Sequence, residues 1–159
     1  MSHNKPLAGI RILSLEQFGA PPRVRRHRVL VPIGGVHRGV IMALRYARSL
    51  SEDVTAVYVS TDPAETEKIK LKWELWGDGV RLKVIDSPYR TLIEKILDYV
   101  DYLAAARRSD EVLTIVVPRF IPEHRLFDLL HSQTARVLRW ALLGRKGVIV
   151  TDVPYHLTD

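Results

Sequence analysis

From Arg28 onward, short apolar runs alternate with stretches whose apolar residues recur every three or four positions, and Gly, Pro, Asp or Ser marks each change of period. The first run predicts a strand at Arg28–Pro32. Val40, Ile41, Leu44 and Ala47 then form one stripe of a helix over Arg38–Leu50. Val54–Ser60 reads as a second strand. Asp62-Pro63-Ala64-Glu65 supplies an N-cap acceptor, a proline at the first helical position and a first-turn acid, so a helix starts here and runs to about Trp76. Gly77 and Gly79 stop it.

Val80–Ile85 forms the third predicted strand, and Ser87-Pro88 opens a helix over Tyr89–Arg107. Glu111–Val117 is almost wholly apolar and β-branched, the composition of a strand covered on both faces. A fourth helix is expected over Leu126–Leu142 and a fifth strand over Gly147–Val153. Strands that alternate with helices predict an α/β fold with a doubly wound, five-stranded parallel sheet in the order 3-2-1-4-5. That order switches direction between strands one and four, so the loops after Val31 and Val117 border the expected ligand crevice.

Composition narrows the class. With 159 residues and 47% hydrophobic content the chain can bury one core, so residues 23–159 read as a single domain. There is no cysteine, which excludes disulfides and thiolate metal sites and fits a reducing, cytoplasmic setting. No apolar run approaches the ~20 residues that cross a bilayer as a helix. The formal charge of +6 has two readings, a solvated basic surface or a partner that carries phosphate. Arg23, Arg25, Arg26, His27 and Arg28 concentrate that charge before the first strand, where nucleic acid or lipid headgroups are rival partners.

Candidate binding residues cluster after the strands. In HRVLVPIGGVHR, Pro32 leads into Gly34 and Gly35, which permit positive φ and close approach of a phosphate to the backbone; Arg38 adds charge at the helix start. The alternative is a glycine pair that only turns the chain. After the third strand, Tyr89 and Arg90 can stack on a purine and neutralise a phosphate, or be a packed tyrosine beside a surface arginine. Arg119 could meet a second phosphate, and Tyr58 and Ser60 could line a base pocket; taken singly, each reads first as structural. Trp73, Trp76 and Trp140 read as core or interface residues. His27, His37, His124, His131 and His156 lack metal-ligand spacing, Asp101 and Asp152 have no evident partner, and neither a nucleophile elbow nor a paired-carboxylate motif occurs. A non-enzyme is expected.

Over Arg28–Leu157 the chain resembles the cytosolic universal-stress-protein-like domain at the carboxyl end of permeases of the amino acid–polyamine–organocation superfamily, most closely KimA-type potassium importers. HRVLVPIGGVHR, ARSLSEDVTAVYVS, KWELWGDGVRL, SPYRTL, LHSQTARVLR and VIVTDVPYHL carry the resemblance. It implies a universal-stress-protein-like regulatory domain on the cytosolic side of the membrane that pairs with its twin and receives cyclic di-AMP as an inhibitor. Its implied partners are the membrane-transporter domain and a small nucleotide, with no nucleic acid. A two-fold symmetric dinucleotide suits an isologous homodimer, in which each subunit offers the same crevice. Nucleotide-binding universal stress proteins hold phosphate with a G-x-x-G signature followed after nine residues by G-S or G-T. Val117–Ala135 has no glycine, so ATP or AMP is a less favoured ligand than cyclic di-AMP. Ser132 and Thr134 stand where the last part of that signature falls; they bind phosphate if a helix starts there and are exposed polar positions if one helix runs through. The rival to the nucleotide reading is a structural dimerisation domain with a vestigial crevice.

Residues 5–20, KPLAGIRILSLEQFGA, resemble instead the amino-terminal opening of class III (formyl-CoA-type) CoA transferases, whose catalytic body is missing. Residues 1–22 are therefore expected to be a fused, misassigned or rearranged leader with little fixed structure, and Pro21-Pro22 marks the seam.

Overall fold

A computed structural model describes residues 26–87, 92–121 and 132–156; within it, the side chains of residues 120, 121, 132–135 and 156 are left out. The leader, the seam at Pro21-Pro22, Tyr89, Arg90 and the predicted helix start at Leu126 lie outside the described residues. The elements follow in the order β1 (Arg26–Ile33), α1 (Arg38–Leu50), β2 (Asp53–Ser60), α2 (Pro63–Trp76), β3 (Arg81–Asp86), α3 (Leu92–Ala105), β4 (Glu111–Ile121), α4 (Ser132–Leu143) and β5 (Val148–His156). All neighbouring strands pair in parallel, in the order β3-β2-β1-β4-β5. The doubly wound α/β sheet read from the sequence is the fold.

Strand alternation assigns each side chain to a face. Val29, Val31 and Ile33 of β1 join Val54, Ala56 and Tyr58 of β2 beneath α1 and α2, where Val40, Ala43, Leu44, Ile69 and Trp73 close over them. Leu30 points the other way, with Val57, Val59, Leu113, Ile115 and Val117, and is covered by Ile96 and Val100 of α3 and Leu138 and Leu142 of α4. Two cores thus share one sheet, as a parallel sheet covered by crossover helices requires.

Asp62 caps α2 as its sequence predicts, accepting from the Ala64 amide at 2.8 Å ahead of Pro63. Gly77 ends the helix where a side chain has no room, because a Cβ there would lie 2.6 Å from the Trp73 carbonyl oxygen. The Trp73 indole, buried in the core, donates to the Val80 carbonyl at 2.8 Å and so pins the helix end to β3. Trp76 and Trp140 are exposed surface residues instead.

β4 and β5 differ from expectation. β1 pairs with β4 only as far as Leu30 opposite Ile115, whereas β4 and β5 stay in register to Ile121 opposite His156. The predicted strand ends, Val117 and Val153, each stand just before a proline, yet both strands run on. Pro118 lies beyond the last β1 pair and Pro154 sits on an edge strand, so neither missing N–H breaks a central ladder. The result is a two-stranded arm that rises past β1 on the carboxyl side.

Ion pairs tie the opposite, amino-terminal edge. Arg28 on β1 reaches Asp53 of β2 at 3.3 Å and the buried Glu111 of β4 at 3.1 Å, while Arg81 of β3 meets Asp53 at 3.4 Å. Arg28 therefore serves the sheet rather than an external phosphate. Asp101 and Asp152, without an evident partner in the sequence, both have one: Arg145 for Asp101, with contacts of 2.5 and 2.8 Å, and Arg139 for Asp152 at 3.2 Å.

Two groups make stability depend on pH. Burial holds the His37 imidazole below its ordinary 6.5, so the neutral ring favours the fold; that stability is complete above pH 6.5 and declines as pH falls below it. The Arg145 hydrogen bond holds the Asp101 carboxyl below 3.8, so its share is complete above 3.8 and is lost only in stronger acid. Urea melts across this range should show stability falling in two separate windows. His37→Asn is expected to remove the upper one and leave the lower one.

Candidate functional site

The carboxyl edge of the sheet presents the β1–α1 connection. β1 ends at Ile33, a bend follows through Gly34 and Gly35, and extended His37 precedes the first turn of α1. The Val40 and Ile41 amides both donate to the His37 carbonyl, at 3.0 and 3.2 Å. No side chain caps the helix and its first turn has no acid, so the earliest amides and the positive end of the helix dipole are left to an outside acceptor.

Gly34 and Gly35 do not owe their place to a left-handed turn. Neither has positive φ, the described glycines that do being Gly79 and Gly147. The positive φ that glycine permits is not used at the pair. A Cβ built on either would meet nothing within 4 Å, so neither internal packing nor backbone conformation calls for glycine. What the missing side chains do provide is bare backbone facing open space, accessible to a ligand atom.

The other predicted residues divide. Pro32 is a buried β1 residue paired in register with Val57, so it supports the loop and does not line it. Arg38 is exposed at the head of α1, and its side chain borders a groove of about 520 Å³ between α1 and the end of α2. Tyr58, expected at a base pocket, is only 7% exposed and packs in the core under α1 and α2, because the strand's alternation turns it inward. The Ser60 hydroxyl accepts from Thr66 at 2.6 Å, and its carbonyl accepts from the Ser87 amide at 2.8 Å. It borders a separate cavity of about 300 Å³ with Lys70 and Asp86. Arg119 is exposed on the β4 extension. Ser132 and Thr134 lie on α4 with their side chains outside the described residues, as Tyr89 and Arg90 are altogether.

One contact at this edge was not read from the sequence. A Cβ on Gly39 would stand 3.3 Å from His37 Nδ1 and from Cβ and Cγ of Tyr155, so the first turn of α1, the loop histidine and the end of β5 are packed together. The signal was a third glycine, one residue into the helix, and a Tyr-His pair beyond Pro154. Both acquire meaning only once β5 is known to continue past that proline. Among the described residues, no group of three His, Cys, Asp or Glu side chains could hold a metal ion, and no helix is long and apolar enough to cross a membrane.

Comparison with known proteins gives a family. The family described as the KimA potassium transporter C-terminal domain matches residues 25–155. Over 139 residues the chain is 36% identical to the potassium transporter KimA of Bacillus subtilis (strain 168). The match covers 86% of this chain and 23% of that transporter, so the chain spans about a quarter of the relative's length. On that match, and on a fold that agrees with the resemblance read from its motifs, the chain belongs to the family of KimA potassium transporter C-terminal domains.

Proposed function

We propose that this domain is a non-catalytic, cytosolic regulatory module of a potassium transporter, and that it binds cyclic di-AMP, or another adenine nucleotide, where two copies meet. The observation that carries the reading is the bare Gly34–Gly35 backbone ahead of an uncapped helix start. Such a segment offers amides and a positive dipole end to a phosphate without an intervening side chain. Arg38 and Arg119 on the same edge, and Arg90 after β3, supply charge. In a transporter, ligand binding would shift the arrangement of two such domains only so far as the ligand prefers one arrangement.

A second reading, a dimerisation domain whose crevice is vestigial, also has an observation behind it. Among the described residues β5 is an edge strand with its outer side unpaired, and Ile149 on it and Trp140 on α4 are exposed, the latter by 75%. An apolar edge of this kind suits pairing with a twin. The occupied positions of Tyr58 and Ser60 and the packing of Tyr155 on Gly39 are consistent with a site that has filled in.

Calorimetric titration with cyclic di-AMP and with ATP separates the two readings. Cyclic di-AMP is expected to bind with one ligand per two chains and ATP more weakly. Gly34→Ala and Gly35→Ala should leave stability unchanged or raise it by up to about 1 kcal/mol, since a side chain there meets no neighbour, yet weaken binding tenfold or more. Absence of heat with both nucleotides would reject the regulatory reading. In light scattering, Ile149→Glu combined with Trp140→Ser is expected to convert dimer to monomer; a dimer that persists would place the twin on another face.

A further inference from the structure

The groove between α1 and α2 has a chemistry that the nucleotide reading does not use. Its walls combine Met42 on α1 with Leu75 and Trp76 on α2, which are 45%, 81% and 58% exposed. Tyr46 lies one turn beyond Met42 on α1 and Leu71 one turn before Leu75 on α2, and both are exposed as well. Large apolar side chains exposed together on the walls of one groove mark a contact.

Charge says what kind. α1 contains Arg38, Arg45 and Arg48 and no acid. The groove's own carboxylate, Asp78, is held by Arg48 at 2.6 Å, which leaves Arg38 and Arg45 on its walls without an ion-pair partner among the described residues. The surface is therefore aliphatic and aromatic at its centre and cationic at its border. Tryptophan and tyrosine settle at the headgroup level of a bilayer, leucine and methionine dip below it, and arginines lie along apolar surface with their guanidinium groups on phosphate.

We infer that this α1–α2 face docks on the surface of an anionic lipid bilayer. Family membership adds that the domain's relatives are the carboxyl-terminal part of a potassium transporter, which puts a bilayer within reach. The groove is also bordered by the end of α2 and by Asp78 in the turn before β3, on the edge of the sheet where β1 begins and hence where the polypeptide arriving from a transporter would enter. The face shares Arg38 with the proposed nucleotide site, whereas Met42, Arg45, Leu75 and Trp76 are no part of that site. It is distinct from the Arg23–Arg28 cluster, whose Arg28 is engaged in the sheet.

Flotation of the purified chain with vesicles tests the inference, using phosphatidylcholine alone and phosphatidylcholine mixed with phosphatidylglycerol. The chain should float with the anionic vesicles at least tenfold better than with neutral ones, and lose that advantage as salt is raised. Arg45→Glu, Leu75→Ser and Trp76→Ser should each cut flotation about tenfold while circular dichroism and cyclic di-AMP titration stay unchanged. Equal recovery on both vesicles, no recovery on either, or full recovery of all three variants would overturn the proposal. So would a change of oligomeric state in Trp76→Ser, which would identify a second copy as the occupant. Loss of nucleotide binding with flotation intact would count against the regulatory site alone.

Discussion

A parallel sheet must be covered on both faces, and nearly every feature of this domain follows from that constraint. β1 lies at the centre, with β2 on one side and β4 on the other, so from Val29 to Ile33 its side chains are buried on both faces. Val29 and Leu30, adjacent in the chain, are 0% and 2% exposed, each in a different core. Along the three inner strands, β2, β1 and β4, burial leaves mainly the strand ends to meet water. The amino-terminal edge is used for cross-strand ion pairs through Arg28, Asp53, Arg81 and Glu111, and the carboxyl edge is left for loops. Ligand binding by the inner strands is thereby directed to the rim by the same burial that stabilises them.

The strand order and most element boundaries were legible because they rest on local signals: Asp62-Pro63 starts α2, Val40, Leu44 and Ala47 of the α1 stripe are buried while Ile41 is only half-buried, and β-branched runs fill the central strands. The extension of β4 and β5 was not legible. A proline stops a strand only where its missing N–H faces a partner, and whether β1 still runs alongside Pro118 is a matter of register between distant segments. The tryptophans illustrate the same limit, since Trp73 and Trp76 are three residues apart yet one is core and the other surface. For Tyr58 the sequence offered a rim and a structural reading, and strand alternation, which turns it into the core, favours the structural one.

The candidate site was legible only in part. The sequence located the β1–α1 connection, and the structure changes the reason for its glycines from backbone conformation to exposure. Tyr155 could not have been found, because its contact with Gly39 depends on the β4–β5 arm reaching past the sheet. The basic α1–α2 groove was invisible for another reason. Met42, Leu75 and Trp76 look like core residues in a periodic pattern, and only their exposure reveals an unused face.

The central claim is that the open backbone at Gly34 and Gly35 contacts an anionic nucleotide. Amide chemical shifts of the nitrogen-labelled chain, followed as cyclic di-AMP is added, test it most directly. The account predicts that the amides of Gly34, Gly35 and the first turn of α1 move first and saturate together. Saturable shifts confined to other segments, with these amides unmoved, would contradict it.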